Sequence, residues 1–328
     1  MTSNTEKPKG TAKFLSVRFG ATGLAAAAGY VAATATLAGF GERWWWFFDL
    51  FSHFRLQYIA MLAISALVLV ACRGKRTAAF FAAFVVVNII IVALPFAARR
   101  PSPQRDTHLV TLAYINVNTA NRRVDLVREY ITRHSPDVVV LEEVSDGWIE
   151  SMKALEDTYP HVIASTHNYD NFGMGLMSRR AFVKSEIVCM TQYDIPSAYV
   201  QINIDGRALS IIGTHATPPG GAETWRLRNL QLDYIAGVAR ACKTPLVLAG
   251  DLNAASWSHA VRKFGRDAAL VDASRGRGPA LTWPTFFAPA RIPIDHCFHS
   301  QDVAVVSRSV GPSIGSDHFP VLVTLALP

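Results

Sequence analysis

Two hydrophobic patterns divide this chain. As far as residue 98 the apolar residues come in long unbroken blocks. Ala21 to Phe40 carries no charge, Leu56 to Cys72 ends in LAISALVLVAC, and Ala78 to Ala98 contains FVVVNIIIVALPF. About 20 residues at ~1.5 Å each match a ~30 Å hydrocarbon core, so the pattern predicts three transmembrane helices. The first is the weakest because it is rich in Ala and Gly, and a signal peptide cleaved near Ala33 or Ala35 is its alternative. The second and third are joined by the four-residue turn Arg73-Gly74-Lys75-Arg76 and form a membrane hairpin. Between the first two lies Gly41 to Phe48, GERWWWFF. Its amphipathic rings prefer the headgroup level and predict an interfacial loop or short surface helix, the alternative being an apolar plug between helices.

From residue 108 the pattern changes to short apolar runs separated by amphipathic stretches. His108 to Val117 alternates and reads as a strand. Val124, Val127, Tyr130 and Ile131 lie at helical spacing within Arg122 to His134. Val138 to Leu141 is a second buried strand, ending in Glu142-Glu143. Side chains alternate along a strand, so one glutamate of the two is expected to face the site, and Glu143 is the one assigned. Trp148, Met152 and Leu155 mark a further helix, His161 to Ala164 a short strand, and residues 173–178 (GMGLMS) an inner strand after the polar loop Asn168 to Phe172. Tyr199 to Ile204, the Asp205-Gly206 turn and Arg207 to Gly213 predict a hairpin.

That hairpin delivers His215, and the helix after it holds Trp225, Leu227, Leu230, Leu232, Ile235 and Val238. Arg226 and Arg228 on this helix could touch phosphate, with solvent exposure the expected state of both. Pro245 to Ala249 is a buried strand that brings Asp251 and Asn253 to its end, where an α/β fold places chemistry. Trp257 to Phe264 reads as a short helix and Val321 to Leu327 as the last strand. Trp283 is expected in the core or at a lip, stacking on a base or sugar being the alternative. Strand, helix and strand in this order make the second part α/β.

The charge follows the division. Residues 1–106 carry 12 Lys and Arg against 4 Asp and Glu, whereas residues 107–328 carry 20 against 21. The formal net charge of +7 therefore belongs to the membrane part, and the overall basicity does not argue for a nucleic-acid-binding face. Lys and Arg near the span ends favour a cytoplasmic amino-terminal tail (residues 1–18) and a cytoplasmic RGKR turn. Residues beyond Arg100 then lie outside the cytoplasm, in a multi-pass protein of the cell (inner) membrane. Residues 99–107 are a short proline-containing linker that holds the second part close to the bilayer. The four cysteines have no metal-ligand spacing and require no disulfide.

The polar residues at strand ends are Asn116, Glu143, His215, Asp251, Asn253, Asp295, Asp317 and His318. Several carboxylates without a cysteine suit Mg²⁺ or Mn²⁺, hard cations that take oxygen ligands and retain waters. Such an ion neutralises phosphate oxygens while a nearby aspartate orients or deprotonates water.

INV around Asn116, PDVVVLEEV at 136–144, GTH at 213–215, GDLN at 250–253, IDH at 294–296 and GSDHFP at 315–320 occur in this order. On these motifs the stretch 108–328 resembles the endonuclease/exonuclease/phosphatase superfamily of metal-dependent phosphohydrolases. The resemblance implies a four-layer α/β sandwich with two mixed sheets face to face and helices outside. It implies in-line attack on phosphorus without a covalent enzyme intermediate. By position, Glu143 resembles the principal metal-binding glutamate, with Asn116 and Asp317 supporting the metal or its waters. Asp251 resembles the aspartate that activates water, beside Asn253 on the phosphate. His318 resembles the histidine that binds the scissile phosphate and assists proton transfer, held in its tautomer by Asp295, and His215 a second phosphate-facing histidine. Many nuclease members place a tyrosine near the loop before the 173–178 strand, where Tyr169 is a candidate here. The chain has no long basic DNA-binding insertion.

The functional expectation is a membrane-anchored phosphodiesterase, an endonuclease or exonuclease acting on DNA or RNA. A phospholipid phosphodiesterase, a phosphomonoesterase, and a catalytically silent membrane-tethered binding module are the alternatives. No protein partner follows from the sequence, only the lipid bilayer and the phosphodiester. Transport is disfavoured because the three spans carry no charged midplane residue.

Overall fold

The computed structural model describes residues 20–97, 108–189 and 194–327. The basic tail and the linker expected over 99–107 lie outside the described residues. Four helices come first: α1 (Ala21–Ala38), α2 (Trp46–His53), α3 (Arg55–Ala71) and α4 (Lys75–Ala93). The segments Ala21–Gly41 and Lys75–Phe96 are each long and apolar enough to cross a membrane. The middle candidate is different: α3 meets that standard only together with α2, from which it is bent by 64°. Polar contacts join the bundle, with Arg55 donating to the Thr36 carbonyl and to Asn88 Oδ1, and Asn88 donating to Thr36 Oγ1. The buried guanidinium is held there by Nη1 donating to polar partners on two other helices, while its Nε has no hydrogen-bond partner among the described residues.

The sandwich that follows contains β1 (His108–Asn116), α5 (Val124–His134), β2 (Val138–Glu142), α6 (Asp146–Met152), β3 (His161–Ser165), β4 (Met174–Ser178), β5 (Phe182–Cys189), β6 (Pro196–Ile204), β7 (Arg207–Thr214), α7 (Ala222–Ala241), β8 (Leu246–Asp251), α8 (His259–Ala268), β9 (Val271–Asp272), β10 (Asp295–His299), β11 (Ala304–Val310) and β12 (Val321–Leu327). The strands form two six-stranded sheets, ordered β11-β12-β1-β2-β4-β3 and β5-β6-β7-β8-β10-β9. Both are mixed: β1 with β2 and β7 with β8 are parallel, whereas the other pairs are antiparallel. The sequence pattern missed β5, β9 and β11. Of these, β5 and β11 are edge strands with several exposed positions, so their apolar alternation is weak.

Period-two alternation builds the layers. On β1, Val110, Leu112 and Tyr114 enter the core between the sheets, and Ala113 and Ile115 face the layer of α5 and α6. On β2, Val138 and Val140 face inward while Val139 and Leu141 face that helix layer. On β8, Val247 and Ala249 face inward and Leu246 and Leu248 pack with α7 and α8. Removing such side chains from water stabilises the fold by about 1.5–3 kcal/mol for each large one. Continued to the strand ends, the same parity puts Asn116, Glu142, Asp251 and Asp295 between the two sheets.

The apolar helices are joined to the sandwich. Arg228 of α7, expected in solvent, is buried and donates to both oxygens of Asp49 on α2, at 2.8 and 3.1 Å. Burial requires a partner for a guanidinium, and the partner here comes from a segment 179 residues away, beyond the reach of local pattern. Trp257 Nε1 donates to the Ser52 carbonyl, and the Ala255 amide donates to His53 Nδ1. A small apolar cluster of Val92, Ala255 and Trp257 seals the joint.

Candidate active site

Strand register brings the first pair together. In the antiparallel pairing of β8 with β10, Asp251 stands directly opposite Asp295. In the parallel pairing of β1 with β2, Asn116 stands beside Glu142. Glu142, which carries no role by motif or resemblance, accepts from the Asp251 amide with both carboxylate oxygens at 3.0 and 3.2 Å. A side chain of one sheet thereby fixes the backbone of the other at the catalytic strand end.

The alternation argument for the glutamate pair therefore needs correction. Parity puts Glu142 on the inter-sheet face, and both glutamates are buried. Glu143 nevertheless reaches the cavity because it follows the end of β2 and has a left-handed backbone, φ 61°. Asn118 and Asn253 share this conformation, with φ of 57° and 49°. Asn tolerates it better than most residues, and for a glutamate it is unusual enough to mark strain held at the site.

Gly250 makes the close approach possible. A Cβ there would stand 1.9 Å from the Thr214 carbonyl oxygen and 2.4 Å from Glu142 Oε1, on a backbone with φ of 155°. Gly250→Ala is expected to destabilise the protein by about 3 kcal/mol or more and to displace Asp251. Thermal unfolding and hydrolysis rate, measured together, check it.

All eight strand-end residues expected from the sequence converge. Glu143, His215, Asp251, Asn253, Asp317 and His318 line one cavity of about 380 Å³. Asn116 and Asp295 stand directly behind it, Asn116 donating to Glu143 Oε1 at 2.8 Å and Asp295 Oδ2 lying 2.9 Å from His318 Nδ1. Asp251 Oδ1 accepts from the Asn253 amide, while its Oδ2 lies 3.7 Å from His318 Nε2 and 3.8 Å from His215 Nε2. Two imidazoles thus converge on one carboxylate oxygen at the wall of the cavity. Asp317 accepts from Asn118 Nδ2 at 2.6 Å and from Trp283 Nε1 at 3.0 Å. Trp283 is accordingly a half-buried lip residue that fixes Asp317. Asn118 and Trp283 had no such role in the sequence reading, because neither motif spacing nor parity signals a contact across 199 or 34 residues. Tyr169 is fully exposed and does not line the cavity, and Phe172 packs against His215 instead. His296 Nε2 of the IDH motif donates to the Ala254 carbonyl at 2.8 Å, and its ring does not line the cavity.

The electrostatics follow from crowding carboxylates in a dry space. Burial pushes Glu142 and Asp251 well above the usual carboxylate range, and neighbouring carboxylates add to the push: Asp251 acting on Glu142, and Asp295 on Asp251. Burial also raises Glu143, against the Asn116 hydrogen bond. Asp295 also resists burial, but the His318 imidazolium holds it below the ordinary value. For His318 burial disfavours the cation, and Asp295 more than compensates, taking it up to about 10. Burial and the nearby His318 charge take His215 down to about 4, so it is neutral at physiological pH.

His318 gains affinity for its proton on folding, from 6.5 to about 10. Its contribution to stability is therefore complete below pH 6.5 and is lost as pH rises through about 10. In metal-free protein the melting temperature is expected to fall over that interval, and His318→Gln to flatten the slope.

The residues fit a divalent cation. Glu143 Oε2 is buried without a hydrogen-bond partner, and burial raises the proton affinity of Glu143 and Asp251, a cost of desolvating carboxylate charge that a bound cation relieves. Asp251, Asp295 and His318 also bring ligand-type atoms within 4.8 Å of one another. Both His318 nitrogens already face carboxylates, however, which makes this trio better suited to proton handling than to coordination.

A sequence model of the Endonuclease/Exonuclease/phosphatase family matches residues 113–318. This chain belongs to that family. Endonuclease/exonuclease/phosphatase proteins are phosphoric ester hydrolases that use divalent metal ions, and the enzyme class of this chain follows. Solved structures share the family fold at low identity. Danio rerio TDP2 complexed with single-strand DNA product is 20% identical, with a TM-score of 0.56 over 66% of this chain and 98% of that one. An endonuclease/exonuclease/phosphatase from Beutenbergia cavernae is 23% identical, with a TM-score of 0.56 over 67% and 72%. The human Nocturnin catalytic domain with bound sulfate anion is 20% identical, with a TM-score of 0.55 over 70% and 100%. No curated protein matches the sequence.

Proposed function

We propose that this protein is a membrane-anchored phosphodiesterase that uses Mg²⁺ or Mn²⁺ and works outside the cytoplasm. The observation carrying this reading is Asp251 Oδ2 facing the Nε2 atoms of both His318 and His215, beside the unpartnered Glu143 Oε2. Glu143, with Asn116 and Asp317 around it, would hold the cation. When bound, the cation neutralises phosphate oxygens and the charge that builds toward the leaving group. Asp251 takes the proton of a water whose oxygen forms the new bond to phosphorus, in line with the P–O bond that breaks. His318, kept protonated by Asp295, binds the phosphate and gives a proton to the departing alkoxide. Neutral His215 and the Asn253 carboxamide contact the non-bridging oxygens.

Anchoring is supported by the two or three apolar helices and by their polar joint to the sandwich. The side of the membrane rests on the Lys and Arg distribution. Nucleic acid remains a second reading, supported by the neighbour whose structure holds a single-strand DNA product.

The test uses the full-length protein in detergent and bis(p-nitrophenyl) phosphate. Hydrolysis is expected with Mn²⁺ or Mg²⁺ and not with chelator. Glu143→Gln is expected to raise the metal concentration needed for half-maximal rate by about 10–100-fold. Cation addition to wild type is expected to raise the melting temperature and release protons. Metal-independent hydrolysis would refute the reading.

A further inference from the structure

The cavity is not walled by the sandwich alone. Leu50, His53 and Phe54, from the membrane region, line it together with Glu143, Asp251 and His318. This wall is fixed in place by the bidentate Asp49–Arg228 pair and by hydrogen bonds from Trp257 Nε1 to the Ser52 carbonyl and from the Ala255 amide to His53 Nδ1, all buried. A helix that only tethered the enzyme would need none of these contacts.

The same helix bears the mark of the bilayer surface. Trp44 and Trp45, just before it, are 66% and 48% exposed, as rings seated among headgroups would be. The sandwich has exposed aromatic residues of its own. Phe286 and Phe287 are 79% and 54% exposed, and the loop that carries them is held to α3, where Gln57 Nε2 donates to the carbonyls of Pro289 and Arg291 at 3.0 Å each. The part of the chain that carries the candidate active site therefore exposes aromatic rings on a loop held to the apolar helices.

The lining itself discriminates between phosphate substrates. Phe172, Ile292 and Ile294 add apolar surface to that of Leu50 and Phe54, and among the described residues no Lys or Arg lines the cavity. A polynucleotide presents a run of phosphates whose binding depends on neutralisation by such cations. An amphiphile presents a single phosphate, which His318 and a bound divalent ion suffice to balance, and an apolar tail that needs the wall.

We infer that the substrate is a membrane-lipid phosphodiester, its phosphate at the Asp251–His318 centre and its apolar part against the wall formed by Leu50 and Phe54. The inference rests on the phosphodiesterase reading above. Water adds to phosphorus and one ester P–O bond breaks, giving a phosphomonoester and an alcohol.

The test compares p-nitrophenyl ethyl phosphate with p-nitrophenyl octyl phosphate below its critical micelle concentration, using full-length protein and Mn²⁺, with single-stranded oligothymidylate alongside. The octyl ester is expected to have a kcat/KM at least about tenfold above the ethyl ester, because burial of methylenes favours binding. Phe54→Ser and Leu50→Ser are expected to cut this ratio at least about fivefold, with melting temperature monitored so that unfolding is separated from a lost preference. Phosphatidylglycerol and phosphatidylethanolamine in mixed micelles are expected to be cleaved, with Asp251→Asn inactive. Equal rates on the two esters with Asp251-dependent hydrolysis would overturn the lipid inference alone, as would preferred cleavage of the oligonucleotide. Absence of Asp251-dependent hydrolysis from every ester would instead overturn the phosphodiesterase reading beneath it.

Discussion

Asp251→Asn is expected to lower kcat/KM for a soluble phosphodiester by about 10³-fold or more while leaving the protein folded, since general-base and electrostatic contributions each reach about 10²–10³. Asp251 Oδ2 lies 3.7 and 3.8 Å from the two cavity imidazoles, and the position of Asp251 opposite Asp295 is set by strand register. Asparagine keeps the size and can still accept from the Asn253 amide, so the fold should survive. It also removes a buried charge that its neighbours disfavour, so the melting temperature of metal-free protein is expected to stay level or rise. Loss of turnover accompanied by a large fall in melting temperature would point to a structural role. Unchanged turnover would place the chemistry elsewhere.

The second large effect concerns the joint between the apolar helices and the sandwich. Arg228→Met leaves the buried Asp49 carboxylate with only the His53 imidazole, 3.3 Å from its Oδ2, as a partner, for which about 3 kcal/mol of destabilisation is expected. Asp49 and Arg228 are each about 1% exposed, so solvent screening offers no relief. Adding Asp49→Leu to Arg228→Met is expected to recover much of that loss, because an apolar pair of similar volume can replace a buried ion pair. Thermal unfolding of the four proteins of this cycle in one detergent gives the coupling. Additive single effects would mean that the two side chains do not act as a pair. Activity should fall more than stability alone explains if the wall carried by α2 shapes the cavity.

Much of the site was legible because it sits at strand ends. GDLN follows an apolar run, so Asp251 and Asn253 could be placed where an α/β sheet exposes its polar groups, and parity carried Asn116 and Asp295 to the same face. Glu143, chosen partly on the family resemblance, lines the cavity, whereas strand parity alone selects Glu142. The left-handed turn at Glu143 reverses the parity, and a backbone dihedral leaves no trace in a hydrophobic pattern. The hydrogen bonds of Asn118, Trp283 and Glu142 left no signal for a related reason, although Trp283 was expected in the core or at a lip. Each reaches a residue distant in sequence, and polar side chains at turns are too common to single out. Tyr169 was assigned by loop position, yet it points to solvent while Phe172 covers His215.

The sequence by itself determined the division into an apolar helical part and an α/β part, the alternation that layers the sandwich, and the order of the polar strand ends. These depend on periodicity, which is a property of neighbouring residues. Only the tertiary structure decided that Arg228 is buried against Asp49, that α2 and α3 bend rather than form one straight span, and that Leu50 and Phe54 wall the catalytic cavity. Each of these depends on contact between segments far apart in the chain. An arginine on a helix surface reads as solvated until the fold supplies its carboxylate, and an aromatic membrane loop reads as an anchor until the active site is found against it.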